Sequence, residues 1–282
     1  MSSQFDIREM CRLLEVSRSA YYEWLGKGPA PIDEAREALK IRIRQIFLES
    51  RCTYGVRSIR RDLGKEGLHV GRKLVRRLMR EMKLVASPVL PNPYGGVREA
   101  HEARVCKHRL QRNFTVKHPD RVWVSDITYI WSRNGWVYLA VVLDLFSRRV
   151  VGWAVSTRPD TALVVSALAK AVRSRPYRRW RIMFHSDQGC QYTSKEFRLY
   201  LSDRGILQSM SRRGQCWDNA VPESFFGTLK RETGLGRWAL ANAGEVQDAL
   251  ADWIEMWYNL KRRHTSLDYR SPVEFEIMKA AA

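Results

Sequence analysis

The hydrophobic repeat of this 282-residue chain changes near residue 118, and that change limits the folds open to it. Up to residue 85 the apolar residues mostly recur every third or fourth place, the spacing of helices packed on one face. Beyond residue 118 β-branched and aromatic runs take over, with strand character. Stretches 122–131, 136–144 and 150–156 read as strands, separated by Asn134-Gly135 and by Ser147-Arg148-Arg149. Short turns between such runs predict an antiparallel meander. A helix over 160–175, a strand over 180–186, a helix over 194–203, a strand over 206–210 and a helix over 222–231 follow. Three strands followed by alternating helices and strands predict an α/β chain built on a mixed sheet.

The helical part divides further. Residues 6–25 read as two short helices in a helix-turn-helix-like segment (1–30), with Met10, Leu13 and Leu14 as an apolar face and Ser17 capping the second. Residues 34–85 read as three helices. In the third, Leu74, Leu78 and Met82 recur at four-residue spacing, while Arg72, Lys73, Arg76, Arg77 and Arg80 occupy much of the rest. Apolar inside and cationic outside is what a helix facing a DNA groove needs, although a solvated basic face is the usual fate of such charge. Residues 86–117 lose periodicity and collect Pro88, Pro91, Pro93, Gly95 and Gly96, which reads as a basic linker. The core is expected over 118–240, with a helical extension over 241–282. There Val246, Leu250, Trp253, Ile254, Trp257 and Tyr258 form a packing stripe.

Charge narrows the partner. Lys and Arg number 49 against 30 acids, a formal net charge of +19, which points to a polyanion such as double-stranded DNA. Cys11, Cys52, Cys106, Cys190 and Cys216 are odd in number and form no Cys-x-x-Cys pair, so neither a disulfide framework nor a structural zinc site is expected. No apolar run has membrane-spanning length, and a soluble cytoplasmic protein is expected.

Three acids stand out. Asp126 lies inside an apolar strand, where an unpaired carboxylate is costly. Asp187 ends a strand before Gln188-Gly189, and Glu223 follows Pro222 at the start of a helix. Capping a turn is the ordinary role for Asp187, and facing the helix dipole the ordinary role for Glu223. Thirty-five residues lie between Asp187 and Glu223. Three hard oxygen donors from two strand ends and a helix can hold a pair of divalent cations.

Around these acids stand His185-Ser186-Asp187-Gln188-Gly189 with Gln191-Tyr192, Asp218-Asn219-Ala220, Thr228-Leu229-Lys230-Arg231-Glu232, and the tail Tyr258-Asn259, Arg262, His264, Leu267 and Pro272. Together they resemble the second-reading-frame subunit of two-frame insertion sequences, within the DDE transposases and retroviral integrases, over nearly the whole chain. The resemblance implies an RNase-H-like core preceded by a helical, helix-turn-helix-like DNA-binding region, with the first acid on the first strand and the second just after the fourth. It implies two Mg²⁺ ions (Mn²⁺ a substitute), with Asp126 bridging, Asp187 on one ion and Glu223 on the other. It further implies cleavage and joining of DNA at terminal inverted repeats and target, a homo-oligomer on DNA, and fusion to an upstream-frame protein near a bacterial nucleoid. Lys230, Arg262 and His264 would contact DNA, and Asp218 and Asn219 would shape the loop entering the Glu223 helix. A solvent-facing Lys230 and an Asn219 acting only as a helix cap are the plain alternatives. Trp123, Tyr192 and Trp217 are candidates to stack on bases, though each is more often core. Cys190 departs from the usual Ser, and Cys216-Trp217 from a more common Pro-aromatic pair. A DNA-binding regulator without chemistry and a hybrid-specific ribonuclease are the rival readings.

Overall fold

The computed structural model describes residues 6–26, 34–86, 106–175, 182–212, 215–235 and 240–281. Its centre is a five-stranded sheet of β1 (Val122–Ser132), β2 (Gly135–Asp144), β3 (Val150–Ser156), β4 (Met183–Ser186) and β5 (Leu207–Met210), in the order β3-β2-β1-β4-β5. The first three strands pair antiparallel, and β4 joins β1, and β5 joins β4, in parallel. This is the mixed RNase-H-like sheet expected from the sequence. Gly135, at φ 112°, closes the β1–β2 turn in a conformation that side-chain-bearing residues rarely adopt.

Two apolar layers cover the sheet. On one face α6 (Thr161–Ser174) packs so close to β3 that a Cβ on Gly152 would lie 2.2 Å from the Ala167 carbonyl oxygen. Here α8 (Lys195–Asp203) and the short α7 (Cys190–Thr193) also contribute, around the fully buried Trp123, Phe184 and Phe197. On the other face lie α9 (Ala220–Thr233), α10 (Ala243–Ala251) and a seven-residue π-helical continuation, Asp252–Tyr258, which buries Trp253, Ile254, Trp257 and Tyr258. The predicted last helix is thus divided, and α11 (Pro272–Ala280), which the periodicity did not reveal, follows with a capping box between Ser271 and Glu274.

The N-terminal helices are α1 (Ile7–Leu13), α2 (Arg18–Gly26), α3 (Glu34–Glu49), α4 (Val56–Lys65) and α5 (Arg72–Glu81). Ser17 caps α2 as expected, its Oγ accepting from Ala20 N at 3.1 Å. The expected apolar face of α1 is corrected: Leu13 and Leu14 are exposed, since these two short helices present too little surface to cover them. Helices α3 to α5 share the core of the second sheet face and dock on the C-terminal helices. Arg51 pairs with Asp252 at 2.8 Å, Arg263 pairs with Asp62, and the Tyr54 and Trp257 rings lie 6.2 Å apart.

Candidate active site and nucleic-acid interface

Strand register sets the positions of two of the acids. β1 and β4 pair in parallel with Val122 opposite Met183, Trp123 opposite Phe184 and Val124 opposite His185. Asp126 and Asp187 each follow the last of these pairs by two residues, Asp126 within β1 and Asp187 in the turn just past the end of β4. Both are buried, at 6% and 8% exposure. Asp126 Oδ1 accepts from Ile127 N at 2.8 Å, and Asp187 Oδ1 accepts from Gly189 N at 3.0 Å. A Cβ on Gly189 would sit 3.1 Å from that same Asp187 oxygen, so a larger residue there would press on the carboxylate. Beneath Asp126, the Ser125 and Tyr192 hydroxyls are 2.8 Å apart.

The third acid arrives on α9, which lies along β1 beyond the end of β4. Asn219 Nδ2 donates to the Ser125 carbonyl at 3.3 Å, and eleven residues later Lys230 Nζ sits 4.7 Å over the Tyr129 ring. Glu223 lies one turn after Asn219 and two turns before Lys230, on the stripe that follows β1. Its side chain is exposed. Among the described residues, no three His, Cys, Asp or Glu side chains are drawn close enough to hold a metal ion. Asp126 and Asp187 each accept from a neighbouring backbone N–H group.

Behind the acids a polar lattice fixes the approach to α9. His185 is fully buried, and burial pushes its imidazole down to about 4. Its Nε2 is 3.0 Å from the Asp218 carbonyl, which can only accept, so Nε2 carries the proton and Nδ1 accepts from Ser209 Oγ at 2.9 Å. The Asp218 carboxylate accepts from Arg212 Nε at 3.0 Å, Arg212 N at 3.1 Å and Arg112 Nε at 2.6 Å. The bonds from Arg212, then Arg112, hold it well below the usual carboxylate range against its burial. Asn219 does not cap α9; it ties the helix to β1 instead.

Part of the expected linker belongs to this lattice. Arg109 N donates to Ser209 Oγ, His108 Nδ1 lies 3.2 Å from the Met210 carbonyl, and Arg112 is spent on Asp218. Sequence reading missed these residues because their partners are about a hundred positions away. Tail residues likewise face inward. Arg262 pairs with Glu232 at 2.9 Å, and His264 packs edge-on against Tyr258 at 4.9 Å, with burial lowering its pKa to about 3. These contacts give both residues a packing role within the chain. Another strand acid, Asp144, is fully buried, pairs with Arg175 at 3.1 Å and accepts from Asp120 N and Phe146 N. Trp123 and Tyr192 are core, not stacking residues, and the Trp217 side chain lies outside the described residues.

On α5, Val75, Leu78 and Met79 are buried, while Arg72, Lys73, Arg76, Arg77 and Arg80 are all exposed. The neighbouring acid, Glu81, is taken by Arg36 at 2.6 Å and Lys40 at 3.6 Å, leaving the cationic face unneutralised. Lys230 is half-buried, and burial lowers its pKa.

Solved structures similar to this chain include the HTLV-2 integrase catalytic core in complex with magnesium, at 17% identity over 56% of this chain and 97% of that one, with a TM-score of 0.43. Residues 116–216 and 204–272 match integrase core domain families, and residues 34–89 match an HTH-like domain family. The transposase of insertion element IS629 from Shigella sonnei is 33% identical over 98% of this chain and 93% of its own length. The InsF transposase of IS3A from Escherichia coli is 34% identical over 97% and 95%. At that identity along almost the whole length, the chain belongs to the insertion-sequence transposases that combine an HTH-like domain with an integrase core.

Proposed function

We propose that this chain cleaves and joins DNA strands at the ends of an insertion sequence, with Asp126, Asp187 and Glu223 as the catalytic carboxylates. What supports this reading is the parallel β1–β4 pairing, whose last pair, Val124 with His185, stands two residues before Asp126 and Asp187, beside a helix anchored at Ser125. The donor set fits a hard divalent cation. All three groups are carboxylates, and the nearby imidazole of His185 has both nitrogens engaged. Asp126, Asp187 and Glu223 would hold two Mg²⁺ ions, or Mn²⁺ in their place. Such ions, when bound, lower the charge at attacking and leaving oxygens of an in-line phosphodiester displacement. The chain's own part is to orient. The His185–Asp218–Arg212 lattice holds the entry to α9, Asn219 fixes that helix to β1, and Lys230 offers a cation to the phosphates on the same stripe.

Residues 34–85 form the DNA-binding domain in this reading, gripping terminal repeats through the α5 cations. Residues 118–240 form the catalytic core, with 1–30, 86–117 and 241–282 as accessory, linking and supporting segments. Two element ends require two active sites, so the working form is a multimer on DNA, joined to the upstream-frame protein in a cytoplasmic, nucleoid-associated complex.

The test uses full-length protein, Mg²⁺ and a labelled duplex bearing the element's terminal repeat. Nicking or joining at the repeat boundary is expected. Asp126→Asn should lower it by more than the roughly 100-fold at which loss of an outer-shell partner tops out. Undiminished activity in that variant would remove the carboxylate assignment. Metal-independent binding with no strand transfer would make the chain a regulator.

A further inference from the structure

The far end of the β1–β2 hairpin carries a row of aromatic rings that the carboxylates and the basic helix leave unexplained. Trp131 and Trp136 face each other directly across the hairpin and are in edge contact at 4.8 Å, yet stay 45% and 42% exposed. Tyr129 meets Trp136 at 5.2 Å and carries the Lys230 ammonium on its other contact. The turn beyond them adds the exposed Arg133.

A cross-strand aromatic pair contributes about 0.5–1.5 kcal/mol to a hairpin through ring contact alone. A clasp of that kind has no use for two large rings left nearly half in water. Their surroundings are cationic: among the described residues neither Lys230 nor Arg133 is in an ion pair. Aromatic faces beside cations are the chemistry that takes unpaired bases, with the rings stacking on the bases and the cations meeting phosphates. Trp131 is five residues along the strand from Asp126, roughly 17 Å at about 3.4 Å per residue, and by alternation on the other face of β1. That distance spans about five stacked nucleotides.

We propose that Trp131, Trp136 and Tyr129, with Lys230 beside them, form a stacking platform for unpaired bases at a frayed DNA end. The backbone of that end then crosses β1 beyond its last pair with β4, where Lys230 reaches the Tyr129 ring, to the carboxylates on the other face. The proposal rests on the DNA-joining reading, but its test needs no chemistry.

Full-length protein is titrated, in metal-free buffer with chelator, against three labelled duplexes of one sequence. One is blunt, one carries a short single-stranded overhang, and one carries an overhang of abasic sites. The platform predicts that the normal overhang binds at least about fivefold tighter than the blunt end, the effect of one stacked base. The abasic overhang, which keeps the phosphates, should fall back to the blunt value. Trp131→Ala with Trp136→Ala should erase the preference and leave blunt-end affinity within twofold, and tyrosine at both positions should restore part of it. Asp126→Asn should keep the preference, which separates failure of the platform from failure of the carboxylate assignment. Equal affinity for all three duplexes, or an abasic overhang as tight as the normal one, would overturn the platform. Because the abasic comparison uses the unsubstituted protein, a variant that misfolds does not decide the matter.

Discussion

Several side chains near the candidate site are held in protonation states that water alone would not give them. His185 and His264 are kept neutral by burial, with pKa values lowered to about 4 and about 3. The unfolded chain takes up those protons near pH 6.5, so the unfolded state binds more of them below that point. The stability contributed by neutral burial is therefore full above pH 6.5 and is lost progressively as pH falls towards 4. Asp144 works the other way, because burial raises its carboxyl to about 6, favouring the folded state slightly as it protonates. Two histidines outweigh one carboxyl. Denaturant midpoints should accordingly fall between pH 7 and pH 5, and His264→Phe should flatten that slope. A midpoint independent of pH over this range would show that the histidines are not held neutral. At this scale only Asp126 is anomalous in its local sequence, as an acid inside an apolar strand, whereas Asp187 and Glu223 are singled out by their spacing and the motifs around them. Asp218 was named for its loop, but its partners Arg112 and Arg212 were not, and Arg112 had been assigned to a linker.

Elements were legible where their pattern is local. The five strands and α6, α8 and α9 fall where alternation, turn residues and apolar runs predict them. What escaped was set by distant packing: the π-helical turn at Asp252–Tyr258, helix α11 and the docking of residues 106–112 on β5. The tail motif acquires a physical meaning here. Asn259 lies against the outer edge of β3, donating from Nδ2 to the Val150 carbonyl and accepting from Val150 N, both at 3.0 Å. One amide thereby imitates a strand neighbour, while Tyr258 Oη donates to the Arg148 carbonyl. Open strand edges invite pairing with other chains, and this one is closed by a side chain. Asn259→Ala should cost about 1–3 kcal/mol, since both buried backbone groups of Val150 lose their partner. Chemical denaturation would measure the loss, and light scattering should detect more self-association than in the parent protein. Unchanged stability would mean that water replaces the amide without penalty.

For the whole molecule, the +19 charge and the docked helical unit describe one surface problem. Helices α3 to α5 rest on the C-terminal helices through Arg51–Asp252 and Arg263–Asp62, so the cationic face of α5 is carried by the same body as the sheet. Composition foretold a polyanion partner, and the order of strands foretold the sheet. The placing of one unit against the other could not be foretold, because it depends on ion pairs whose members are some two hundred residues apart. The central claim is that Asp126, Asp187 and Glu223, from a strand, the turn after another strand and a helix, work as one unit. Residues that act as a unit lose their effect together, so substitution effects in such a set are strongly non-additive. Strand-transfer rates of Asp126→Asn, Glu223→Gln and the double variant, measured at saturating Mg²⁺ on one terminal-repeat duplex, test this directly. A double variant no slower than the worse single one is the result predicted here. A loss equal to the product of the two single losses would contradict it.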